Sequence, residues 1–167
     1  MRIQLSKNFY LDEFTRSQTA VRHGIEINVD EDSIEFANLR RLVNYILQPV
    51  RDELGAVHIS SGLRPTKLNS LIRGSKNSDH ITGSAADFTV ANYSPYEVAI
   101  WIRDNVPRYK QLIHEFGRWV HVSVPPAMSQ PRCQDLTAIK IPRLYRKPKT
   151  VYVPRILTIE QATRRAT

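Results

Sequence analysis

Seven apolar residues, Leu39, Leu42, Val43, Ile46, Leu47, Val50 and Leu54, recur at three- and four-residue spacing and draw one stripe along a helix. Such a stripe has to be buried, so the chain needs a second layer, and the flanking segments say what it is made of. Asp32-Ser33-Ile34-Glu35 reads as a capping box, a side-chain oxygen serving a free N–H while Glu35 reaches back. Pro49 should kink this helix and Gly55 should stop it. Residues 56–60 alternate and are β-rich, a strand, and residues 85–90 read as a second. Residues 109–115 and 119–124 read as two more, joined through Phe116-Gly117-Arg118 as a hairpin of the three-residue-loop type. Further helical segments are interspersed. Residues 12–23 form a short helix or a pair of turns, and residues 66–73 a helix closed by Gly74. Ser94-Pro95-Tyr96-Glu97 opens a helix that should run to Asn105, because Pro107 follows. There is no regular βαβ repeat. The expected fold is α+β, a small, mostly antiparallel sheet with flanking helices.

The 167 residues amount to about one domain, and 41% apolar content is enough for one core. Six Gly and ten Pro exclude collagen-like and low-complexity readings. No apolar run approaches the roughly 20 residues that span a bilayer. Met1 to Lys7 is charged but no apolar stretch follows, so no signal peptide is expected. Cys133 is the only cysteine, which fits synthesis in a reducing compartment, and work outside a cell would need release by something else.

Charge is unevenly placed. Residues 1–124 carry 15 Lys/Arg against 14 Asp/Glu, whereas residues 125–167 carry nine against two and six of the prolines. The expected organisation is a nearly neutral domain over 1–124 and a basic, Pro-rich extension over 125–167, solvated and extended around the core. Such an extension can hold a polyanion. Aromatic interleaving is thin, with only Tyr145 and Tyr152, so nucleic acid is not the expected partner.

His80 in a polar loop, Asp87 at the start of a strand and His121 in the hairpin are residue types that bind zinc. Two histidines and one carboxylate would leave the fourth vertex of a tetrahedral Zn²⁺ open, as in catalytic rather than structural sites. Spacing alone leaves the alternative of a surface-loop His80 and a core-edge His121. The words around them are more specific: Ser60-Ser61-Gly62-Leu63-Arg64, Leu68-Asn69, residues 74–80, Gly83-Ser84-Ala85-Ala86-Asp87 and Trp119-Val120-His121-Val122-Ser123, in that order. Together they resemble the zinc D-alanyl-D-alanine carboxypeptidase family, which includes phage L-alanyl-D-glutamate endopeptidases and shares its fold with the hedgehog signalling domain. The pattern Ser-x-His-x-x-Gly-x-Ala-x-Asp, met by Ser78 to Asp87, is its most specific signature, and the resemblance covers roughly residues 5–124.

The resemblance implies one Zn²⁺ per chain on His80, Asp87 and His121. It implies that Arg64 steadies a substrate carbonyl oxygen or carboxylate, and that Ser78 contacts substrate. The general base departs from the pattern. In several relatives an acid stands three residues before the last histidine, where this chain has Arg118. Glu115 is the nearest acid, and strand alternation puts it on the His121 face and His114 on the other. The implied activity is hydrolysis of an amide in the peptidoglycan stem by a phage-type lytic or virion-associated protein. The basic extension would draw it to anionic wall polymers or lipopolysaccharide. A zinc-containing wall-binding or structural module without activity is the alternative.

Overall fold

In the computed structural model, which describes residues 2–166, two short helices, α1 (Leu11–Thr15) and α2 (Gln18–Arg22), open the chain. The apolar stripe begins in α3 (Ile34–Leu42). Ser33 caps it by accepting from the Phe36 N–H at 3.2 Å. Glu35 stands at the second helical position, one residue too early to reach back, so the expected capping box is only half formed.

Pro49 acts on the helix through the turn before it. Its ring collides with the carbonyl four residues back and it has no N–H to give. The chain widens into a π-helical turn (Val43–Leu47), in which the Gln48 N–H bonds the Val43 carbonyl, and then resumes as α4 (Gln48–Leu54). Pro49 thus falls in the first turn of α4, where no N–H is required. Gly55, at φ 95°, ends the helix as expected.

The strands are β1 (Val57–Ser61), β2 (Ala85–Val90), β3 (Gln111–Glu115) and β4 (Trp119–Ser123), with α5 (Thr66–Leu71) between the first two. Helix α6 (Pro95–Asn105) precedes β3, and its capping box is complete: Ser94 accepts from the Glu97 N–H at 3.3 Å and Glu97 accepts from the Ser94 N–H at 2.8 Å. The hairpin between β3 and β4 turns through Phe116 and Gly117, both at positive φ.

The basic extension departs from expectation. It is not a solvated wrap but two further strands, β5 (Gln134–Arg143) and β6 (Arg146–Pro154), and a last helix, α7 (Ile159–Ala166). Strand β5 lies parallel to β3, giving one six-stranded sheet in the order β1-β2-β4-β3-β5-β6, antiparallel at every other pairing. The expected α+β architecture, a mostly antiparallel sheet with flanking helices, is the one observed.

One face of the sheet makes the core. Ala86 and Phe88 of β2, Leu112 of β3, and Val120 and Val122 of β4 pack with Leu39, Leu42, Ile46 and Val50 of the stripe and with Val98 and Ile102 of α6. The alternate residues, among them Asp87, His121 and Glu115, are thereby turned to the opposite face. The extension is tied into this arrangement. Ile156 is 4% exposed within the main core, and the buried His114 donates from Nδ1 to the Leu157 carbonyl at 2.8 Å.

A chain ending at residue 124 is therefore expected to be unstable. It would lose the Ile156 packing, leave the buried His114 Nδ1 without its acceptor and bare the β3 edge along five paired residues. The loss should reach about 3 kcal/mol or more, roughly 6–12 °C in Tm, and calorimetry of the truncated chain checks it.

Candidate metal centre

His80 sits in a 3₁₀ turn (Asp79–Thr82) that three tethers hold against the sheet. Asn38 of α3 donates to the Thr82 carbonyl at 2.9 Å, Lys110 binds Asp79 at 2.6 Å, and the Ser84 N–H reaches the Asp79 carbonyl at 2.9 Å. Gly83 leaves the turn at φ 71°, and a Cβ there would stand 2.7 Å from the Glu35 carbonyl oxygen, so the signature needs glycine at this point. The chain then enters β2, where Asp87 faces His121 of β4 directly across the ladder.

These elements bring three ligating atoms together. His121 Nδ1 lies 2.7 Å from Asp87 Oδ1, His80 Nε2 lies 3.2 Å from the same oxygen, and the two imidazole nitrogens are 3.3 Å apart. His80 is fully buried and His121 nearly so. The far nitrogen of His80 settles its tautomer. The Gly62 carbonyl can only accept, so Nδ1 carries the proton in their 2.7 Å bond, and the lone pair of Nε2 points at the Asp87 oxygen. Two acceptors facing each other at 3.2 Å with no proton between them call for a cation. A tetrahedral Zn²⁺ with ligand bonds of about 2.0–2.1 Å has ligand-to-ligand edges of about 3.3 Å. Two of the three edges have that length, and the third is shorter because the His121 proton occupies it. The group fits a metal ion.

Electrostatics follow this arrangement. Burial holds the His80 imidazole below its ordinary pKa and therefore neutral. Burial pushes Asp87 up, but the two imidazoles outweigh it and keep the carboxyl far below the usual range. His121 loses to burial and gains more from Asp87 and Glu115, so it protonates more readily than a free histidine. A metal must displace that proton. Affinity is thus expected to be full at pH values above the raised His121 pKa and to fall as pH drops through it. The slope should be about tenfold per pH unit for one displaced proton. Competition with a chelator from pH 8.5 to 5.5 checks this.

The other candidates surround the three ligands. Arg64 follows β1, and its N–H donates to the His80 carbonyl at 3.0 Å. Its Nε is buried and has no hydrogen-bond partner among the described residues, while Asp87 and Glu115 support its charge against the cost of burial. Glu115 pairs with Trp119 across the hairpin and shares the face of His121. Burial and the Asp87 charge raise its pKa, against opposing effects of His121, the Trp119 hydrogen bond and Arg64. His114 points to the helical side, as alternation requires. Ser78 precedes the 3₁₀ turn, half-buried, and gives its carbonyl to the Ile81 N–H at 3.0 Å.

Sequence reasoning missed three supports. The Gly62 carbonyl carries no side-chain signature, although glycine is needed there because a Cβ would stand 2.5 Å from the Phe14 carbonyl oxygen. Lys110 and Asp79 are distant in sequence, and no local pattern pairs them. Trp119 donates from Nε1 to Glu115 Oε2 at 2.9 Å and so aims the carboxylate.

A sheet whose open face holds two imidazoles and a carboxylate at one point, flanked by a half-buried acid and a half-buried guanidinium, has the makings of a mononuclear metallohydrolase. The family model for peptidase M15 matches residues 7–123, and the chain belongs to that family, a family of metallopeptidases. No curated protein sequence matches it. The family match stops at the end of β4, whereas the sheet continues through β5 and β6.

Proposed function

We propose that this chain is a zinc peptidase that hydrolyses an amide bond in the peptide stem of bacterial peptidoglycan, at a D-Ala-D-Ala end or an L-Ala-D-Glu link. The observation that carries the reading is the meeting of His80, Asp87 and His121 on the face that also holds Glu115 and the unpartnered Arg64 Nε. Zn²⁺ bound by those three residues would polarise a peptide carbonyl and lower the pKa of a water to about 7.

The chain's own groups do the remaining work. The Glu115 carboxylate takes a proton from the attacking water and returns it to the departing amine, held toward the site by the Trp119 N–H. Its raised pKa suits both halves of that shuttle. Arg64 donates to the carbonyl oxygen as negative charge gathers there, and its desolvated guanidinium binds an oxyanion more strongly than one in water. Ser78 borders the His80 turn, where its hydroxyl can contact the peptide.

The working place we propose is the cell wall, with the chain acting after release or as part of a virion, as in phage-type lytic proteins. Exposed Arg143, Arg146, Lys147 and Lys149 at the β5–β6 tip support attraction to anionic wall polymers or lipopolysaccharide. Among the described residues no helix is long and apolar enough to cross a membrane.

The test is incubation of the zinc-loaded chain with purified peptidoglycan and mass spectrometry of the products. Release of D-Ala, or of fragments ending at L-Ala, supports the reading and names the bond. Intact stems would leave a wall-binding or structural module.

A further inference from the structure

The strand register carries the open face beyond the metal centre. Glu115 of β3 stands opposite Trp119 of β4 on one side and Ala138 of β5 on the other, and Ala138 stands opposite Tyr152 of β6. Residues directly opposite in a ladder share a face, so Trp119, Glu115, Ala138 and Tyr152 form one row across four strands. The neighbours of Tyr152 check the assignment. Val151 and Val153 pack with Ile139, Leu157 and Ala162 on the helical side, which turns Tyr152 the other way. Its phenol responds to burial and to the charges of both Glu115 and Asp87, which keeps it protonated over the ordinary pH range.

Between Glu115 and Tyr152 stands only the methyl group of Ala138. Two strand spacings, about 9.5 Å, separate them, and Ala138 itself is fully covered. One row further along the face, Lys140 donates to Thr150 Oγ1 at 2.6 Å and lies 4.8 Å from the Phe116 ring centroid, closing the row's outer side. Tyr152 is 52% exposed, and its hydroxyl makes no hydrogen bond within the described residues. A half-exposed phenol with a free donor, on the sheet face of the reacting centre and within electrostatic reach of Glu115 and Asp87, is a binding group without a partner.

We propose that Tyr152, delivered by the C-terminal hairpin that the family model does not cover, lines a subsite on the Glu115 side of the metal centre and donates a hydrogen bond to an acceptor oxygen of the bound peptide. This rests on the stem-peptide reading above and adds to it a substrate-binding residue from outside the matched region. The hairpin is on this account part of the cleft, not only a cover for the β3 edge.

The test compares the full-length, zinc-loaded chain with Tyr152→Phe, which keeps the ring and removes the hydroxyl. Tyr145→Phe, at the exposed hairpin tip, is the control. The probe is a soluble disaccharide-pentapeptide, followed by kcat and KM, by equilibrium binding, and by zinc content and Tm. Tyr152→Phe is expected to lose about tenfold in kcat/KM or in affinity, with zinc content and Tm unchanged and the control like the parent. Changes below twofold in both, or a loss that appears only with a fall in Tm, overturn the proposal. If the parent binds the probe without cutting it, the peptidase reading fails and the affinity ratio still decides the role of Tyr152. If the parent does not bind it, both are overturned.

Discussion

An Asp87→Asn chain is expected to lose its metal, with affinity falling more than 100-fold, and to lose all measurable turnover. The substitution keeps the shape of the side chain and removes the one negative charge among the three ligands. That charge organises the cluster. Asp87 Oδ1 lies 2.7 Å from His121 Nδ1 and 3.2 Å from His80 Nε2, and its influence lifts the His121 pKa against burial. Losing a supporting hydrogen bond around a metal ligand typically costs about 10–100-fold in affinity, and losing the anionic ligand itself has to cost more. Because both imidazoles stay in place, retention of stoichiometric zinc after dialysis would mean that the three residues do not form the site. A second reading comes from the metal-free chain. Without the Asp87 charge, burial is left as the largest influence on His121, so its pKa should fall below the ordinary value, and NMR titration of the imidazole shows it.

The candidate metal-binding group came from the resemblance carried by the words around it, and the side of the strand that Glu115 takes was legible because strand periodicity is local. Alternation alone placed Glu115 on the His121 face and His114 on the other, and the register agrees residue by residue. The Ser94 box and the Gly55 stop were legible for the same reason. The supports were not. The Gly62 carbonyl that fixes the His80 tautomer is a backbone atom, and the Lys110–Asp79 bridge joins residues 31 apart.

The extension was misread for a more particular reason. Its prolines and cations suggested solvated coil, yet both features suit the places they occupy. Pro142 falls at the irregularity between Ile141 and Arg143, and Pro148 lies in β6, the outermost strand, where an absent N–H can face solvent. Lys and Arg on such a strand discourage pairing with a second chain. The composition that reads as disorder is also the composition of a protected sheet edge. Only the pairing with β3, which no local pattern announces, tells the two apart.

Glu115→Gln tests the chemistry without disturbing the site. The amide keeps an oxygen to accept from the Trp119 indole at the 2.9 Å contact, so the side chain should hold its place, and none of the three ligands is touched. What it loses is the ability to take a proton. Positioned acid–base groups typically contribute about 10²–10⁴-fold, and kcat should fall by that factor while zinc content and KM stay near those of the parent. The direction of any metal effect separates this from a structural role. A residue that only braces the hairpin would lower Tm and loosen His121 two residues beyond Trp119, so zinc affinity would fall along with turnover. Trp119→Phe supplies the graded case: it keeps an aromatic ring against Phe116, whose centroid is 5.6 Å away, and removes only the N–H that aims the carboxylate. It should retain zinc and lose part of kcat, less than Glu115→Gln does. If Glu115→Gln turns over like the parent, the proton acceptor is another group, and the displaced acid before the last histidine has no part in the reaction.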